Sequence, residues 1–134
     1  MVELKLEYKG DLRTEVVHVP SGAIIDTVAP RDNGGMGDRF SPTDIMAASV
    51  GACALTIMGK LAQRHGLDIK GSRVRVEKHM RVSPRMIERL VLDFELPALL
   101  SPNERTMIER AVDDCPARRS LNPDVIIESK FAYI

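Results

Sequence analysis

Between Asp44 and Lys60 the chain carries no charged residue, and the run from Ile45 to Leu61 consists largely of Ala, Gly, Ser and bulkier apolar side chains. Ser41 at a cap position, Pro42 at the first helical position and Asp44 three residues after the cap predict that a helix starts here. Gly66 is placed to stop it after about His65. A helix of this sequence is apolar nearly all round, so it cannot lie on the surface of a globular protein. At about 17 residues the run is marginal for a bilayer span, and its many small residues weaken that reading further. A chain of 134 residues has few other elements with which to surround such a helix. It is therefore expected at the centre of a larger core completed by a second copy of the chain, with Ala47, Ala48, Gly51, Ala52 and Ala54 permitting close helix contact.

The remainder of the chain is mostly extended. Val2, Leu4, Leu6 and Tyr8 alternate with Glu3, Lys5, Glu7 and Lys9, Gly10-Asp11 supplies a turn, and Val17 and Val19 belong to a second strand. After Ser21-Gly22 a third short run spans Ala23 to Val28, so the first third predicts a meander with one apolar face. Two longer strands, Arg73 to Val82 and Ile87 to Leu96, flank the turn Ser83-Pro84-Arg85 as a hairpin with one polar face. A second helix opens with the same grammar as the first, Ser101-Pro102-Asn103-Glu104, and Met107, Ile108, Ala111, Val112 and Cys115 recur at helical spacing. Pro116 breaks that helix, Asn122-Pro123 ends a short one after it, and Val125 to Ala132 supplies a last strand.

Length and composition indicate one soluble domain over residues 1–134. The 19 basic residues balance the 19 acidic ones, so charge supplies no argument for nucleic acid or a membrane surface as a partner. Met1 to Glu7 lacks the apolar core of a signal peptide, and a cytoplasmic location is expected, where thiols rest reduced.

The two cysteines admit two readings. Cysteine is among the most buried residue types and often only fills space, but if the fold brings Cys53 and Cys115 together they form a redox pair. At Cys115 the backbone N–H groups of a helix opening at Pro116, together with Arg118, would favour the thiolate, and Asp113 and Asp114 would oppose it. The glycine-rich stretch Ala29 to Phe40 is either a loop carrying a cation over a site or an ordinary strand-to-helix connection; it lacks the spacing of a phosphate loop. His18 and His65 have no metal-like spacing with Cys, Asp or Glu, and His79 falls on the polar face of its strand, so no metal site is expected.

Taken together, the glycine-rich loop, the Ser-Pro-led helix containing Gly51-Ala52-Cys53, the hairpin, Asp114-Cys115-Pro116 and the closing Leu121-Asn122-Pro123-Asp124-Val125 resemble the osmotically inducible protein C and organic hydroperoxide resistance (OsmC/Ohr) superfamily. The resemblance covers most of the chain. It implies an α+β fold, an intertwined homodimer whose antiparallel sheets wrap around a central long helix from each chain, with two sites at the interface. It implies that Cys53 attacks a peroxide and Cys115 resolves the product, with an external dithiol as reductant and no metal or organic cofactor. The family's activating carboxylate aligns with Thr43, beside Asp44; nine residues of helix would put Asp44 about 13 Å from Cys53 and facing away, so Asp44 is expected to be a cap. The activating arginine falls in the turn Gly10-Asp11-Leu12-Arg13, with Arg39 as the alternative to Arg13. This departure points to a general OsmC-like branch. Its implied activity is thiol-dependent reduction of organic peroxides; the alternative is a non-enzymatic homodimer that binds a small apolar ligand in its interface pocket.

Overall fold

The computed structural model of the protein describes every residue from Met1 to Ile134. They form two compact units, Met1–Met46 and Ala47–Ile134.

The first unit contains an antiparallel sheet of β1 (Leu4–Gly10), β2 (Arg13–His18) and β3 (Ile24–Val28), in that order. Gly10, Asp11 and Leu12 all take left-handed backbone angles, with φ of 86°, 54° and 60°. This is costly for a leucine, and the turn is held by the Leu12 N–H donating to the Tyr8 hydroxyl at 3.3 Å. Its result is to deliver Arg13 at the first position of β2. After β3 the glycine-rich loop is tied down by backbone bonds: Ala29 N–H donates to Leu12 O at 3.1 Å, Gly35 N–H to Pro30 O at 3.0 Å, and Val28 N–H to Phe40 O at 3.1 Å. The chain folds back so tightly that a Cβ on Gly35 would sit 1.8 Å from the Ala29 carbonyl oxygen. Gly35→Ala is accordingly expected to destabilise the protein by about 3 kcal/mol through forced backbone movement; chemical denaturation measures this directly. The alternation read from β1 is real, but Leu4, Leu6 and Tyr8 remain 53%, 65% and 65% exposed. The chain has an apolar face there that it does not itself cover.

At the close of this unit the long helix α1 (Pro42–Arg64) starts as its sequence predicts. Ser41 N–H donates to the Asp44 carboxylate at 2.8 Å and Asp44 N–H donates back to Ser41 Oγ at 3.1 Å, a reciprocal capping box. At its other end Gly66 adopts φ 65° while Leu67 N–H reaches Ala62 O at 2.9 Å and Gly66 N–H reaches Gln63 O at 3.4 Å. This is a Schellman stop, and it requires the left-handed residue that glycine supplies.

The second unit adds β4 (Arg73–Arg81), β5 (Met86–Leu96), α2 (Pro102–Ala111), α3 (Pro116–Arg119) and β6 (Ile126–Tyr133). β4 and β5 form the expected hairpin, but β6 pairs with β5 in parallel, so this sheet is not antiparallel throughout. A parallel neighbour needs a crossover, and α2, the 3-10 turn Val112–Asp114 and α3 are that crossover. The core packs Val50, Ala54, Met58 and Ala62 of α1 with Leu90, Leu92 and Phe94 of β5 and Ile108 and Val112 beyond. Gly51 lets α1 approach the sheet, since a Cβ there would lie 2.9 Å from Val76 Cγ2. On the polar face Arg75 pairs with Glu77 and Asp93, Arg89 with Glu128, and His79 lies 3.6 Å from Glu77. Ser101 and Glu104 complete the second capping box, and the Tyr133 hydroxyl donates to Glu109 at 2.6 Å, joining β6 to α2.

α1 is long and apolar enough, by length and composition, to cross a membrane, yet one side of it packs as a core helix. Ala47, Val50, Gly51, Ala54, Met58 and Ala62 are buried, while Ala48, Ser49, Ala52 and Thr56 on the other side are exposed. A single chain covers half of what was expected to be a central helix.

Candidate functional site

Cys53 lies in the middle of α1, half-buried. Cys115 is the N-cap residue of α3 and is completely buried. The chain reaches this position because α2 tightens into the 3-10 turn Val112–Asp114, and Pro116, unable to continue a helix from an extended residue before it, starts the next one. Cys115 is thereby left at φ −68°, ψ 115° with its side chain turned inward.

The Cys115 sulfur accepts the Arg118 N–H at 3.4 Å and lies 3.8 Å from the carbonyl oxygen of Val50, one turn before Cys53 on α1. Cys53 is close enough to act on the Cys115 thiol. The fold thus brings together the two cysteines of the chain. Burial pushes the Cys115 thiol above its ordinary range, and the neighbouring Cys53 raises it further; the Arg118 and Ala117 backbone N–H groups act in the opposite direction. The backbone N–H groups expected to favour a thiolate at Cys115 are in place and act in that direction, but desolvation, which the local sequence did not signal, outweighs them. The Arg118 guanidinium is meanwhile paired with Asp113 at 3.2 Å, and Arg119 with Asp114 at 3.1 Å. These two ion pairs bridge the break at Cys115-Pro116. Their acidic members are neutralised locally and do not bear on the sulfur as free charges.

The other residues selected from the sequence lie in the first unit. Arg13 donates to Asp38 at 2.9 Å, and this hydrogen bond holds the Asp38 carboxyl below the usual carboxylate range. Arg39 donates to the Asp38 carbonyl at 2.9 Å and lies 3.7 Å from Asp26, its guanidinium being the more exposed of the two. Arg39, Phe40, Gly37, Asp38 and Asp44 surround an open cavity of about 450 Å³. Asp44 is the cap it was expected to be, and the Thr43 hydroxyl lies 3.3 Å from that of Ser41. Sequence reasoning sought a carboxylate at Thr43 or Asp44 and missed Asp38, the one that meets Arg13. The only signal was an acidic residue within the glycine-rich loop, and only the folded loop returns it to the β1–β2 turn.

No group of three His, Cys, Asp or Glu side chains is arranged to hold a metal ion. The chemistry available at the cysteine pair is that of sulfur: thiolate formation, oxidation and disulfide exchange.

Comparisons with known proteins bear on the fold and the family. A protein from Psychrobacter arcticus 273-4, described as an osmotic stress induced and detoxification response protein, is 34% identical over 98% of this chain and 96% of its own, with a TM-score of 0.94. The organic hydroperoxide resistance protein OsmC of Legionella pneumophila superposes with a TM-score of 0.79 at 16% identity, over 98% of this chain and 96% of that one. The organic hydroperoxide resistance protein OhrB of Bacillus subtilis does so at 0.71, also with 16% identity, over 98% of both chains. Both share the fold. Among curated proteins none matches. Residues 35–130, which include both cysteines, both capped helices and the β4–β5 hairpin, match the profile of the OsmC-like proteins, and the chain belongs to that family.

Proposed function

We propose that the protein is a thiol-dependent hydroperoxide reductase, acting on organic peroxides through Cys53 and Cys115. The observation that carries this reading is the meeting of its two cysteines, one half-buried on α1 and the other enclosed with its proton retained. The asymmetry supports a division of roles. Cys53 is the attacking thiolate: its sulfur takes the terminal peroxide oxygen, the O–O bond breaks, and the alkoxide leaves as an alcohol after taking up a proton. The resulting Cys53 sulfenic acid is attacked by Cys115, water departs, and a disulfide remains. An external dithiol restores both thiols in a reducing cytoplasm. Sulfur carries the whole oxidation, so the cycle requires no metal or organic cofactor.

Arg13, paired with Asp38, is the cation proposed to support the Cys53 thiolate, with Arg39 as the second candidate. Asp38 takes the part that the family pattern places at Thr43. The functional unit is the whole chain, residues 1–134, as a homodimer. Support for the dimer comes from the exposed apolar side chains of β1 and the exposed small-residue side of α1, which a second copy would remove from water. Nothing in the reading calls for nucleic acid or a membrane.

The direct test adds cumene hydroperoxide to fully reduced protein and follows peroxide and free thiols together. One peroxide is expected to disappear for every two thiols, with mass spectrometry finding a Cys53–Cys115 link. Two persistent thiols would remove the reductase reading and leave a dimer that binds a small apolar ligand at its interface.

A further inference from the structure

The two sulfurs of the pair differ in how they can be approached, and this bears on how the oxidised protein is recycled. Cys115 is 0% exposed within its own chain. It is enclosed by α1 at Val50, by the turn at Val112 and by the start of α3. Assembly with a second copy cannot open it. Cys53 is only half-buried. A peroxide must reach its sulfur for the proposed function to hold, so the same opening admits another small molecule. Thiol–disulfide exchange needs a nucleophile in line with the S–S bond, and which sulfur is attacked is governed largely by access.

The surroundings of the two sulfurs differ in a second, independent respect. Cys53 lies in a helix interior, where the neighbouring backbone N–H groups are used by the helix itself. Cys115 lies at a helix start, where the Arg118 N–H already points at its sulfur and the Ala117 N–H also acts on it. A departing thiolate therefore meets donors at Cys115, but burial there outweighs them, so access and not leaving-group stability distinguishes the two sulfurs.

From this difference in access we propose that the reductant attacks the Cys53 sulfur of the Cys53–Cys115 disulfide and expels Cys115. The reductant thiolate forms a new S–S bond to Cys53, the protein disulfide breaks, and its electron pair leaves on Cys115, which is then protonated. The second thiol of the dithiol next attacks its own sulfur in that mixed disulfide, releasing Cys53 as thiolate and the reductant as a disulfide. Two electrons pass to the protein; one proton is taken up at Cys115, and the dithiol's other proton goes to solvent while Cys53 remains a thiolate. This inference rests on the reductase reading for its biological setting and adds to it the identity of the mixed disulfide.

The test avoids peroxide so that the two readings can fail separately. The protein is oxidised with diamide, freed of oxidant, mixed with glutathione as a monothiol probe, acid-quenched at short times and alkylated with N-ethylmaleimide. Peptide mass spectrometry is expected to find glutathione on Cys53 and maleimide on Cys115 in at least about tenfold excess over the reverse arrangement. Glutathione on Cys115, or an even division, would overturn the inference whatever the peroxide activity. A link formed by diamide but not by cumene hydroperoxide, with the adduct on Cys53, would uphold the exchange order and remove the peroxide reaction. Failure of diamide to form any link would overturn both.

Discussion

Cys53→Ser is expected to abolish hydroperoxide consumption, while Cys115→Ser completes one turnover and accumulates sulfenic acid at Cys53. The difference follows from the positions of the sulfurs. Cys115 is enclosed and its thiol is pushed up by burial, so it is protonated at neutral pH and out of reach of a bulky peroxide. In the proposed cycle Cys53 is the half-buried sulfur, with Cys115 beside it to trap its oxidised form. Stopped-flow peroxide decay, with a dimedone probe for sulfenic acid, separates the two variants. In the same experiment Arg13→Ala is expected to slow the first step by about 100-fold, the usual scale for losing one charge-stabilising donor. Arg39→Ala should have the smaller effect. Full activity in Cys53→Ser would end the reductase reading.

Ala48→Glu is the second substitution with a large expected effect, because monomer and dimer make opposite forecasts for it. Ala48 lies on the exposed side of α1. In a monomer a glutamate there would meet water and cost within about 0.5 kcal/mol, as surface changes generally do. In a dimer closed over α1 it would be a buried charge without a counter-ion, costing several kcal/mol and either separating the copies or preventing folding. Sedimentation velocity at low micromolar concentration, paired with thermal denaturation, reads both. A wild-type dimer with an unaffected Ala48→Glu variant would mean that the copies meet on another face; a folded wild-type monomer would remove the dimer altogether.

Local chemistry was legible from the residues themselves. Ser41-Pro42-Thr43-Asp44 and Ser101-Pro102-Asn103-Glu104 determined where two helices begin, because a capping box is satisfied within four residues. Gly66 determined where the long helix stops, since its left-handed conformation is a property of one residue. The alternation in β1 and the polar face of β4 were likewise set by a two-residue period that needs no partner to be recognised.

Whatever depended on distant segments meeting was decided by the tertiary structure. The parallel placement of β6 could not be read from its own sequence, because strand direction is set by the crossover through α2 and α3. Asp38 became the partner of Arg13 only when the loop folded back over the β1–β2 turn. The charge state of Cys115 went against the local signal: nearby N–H groups favour the thiolate, but the enclosure that raises the thiol is built by α1, far away in the chain. The sequence by itself determined that the long uncharged helix demands burial. Folding of one chain decided that only one of its sides is buried, the side that packs with β5 and its neighbours in the core.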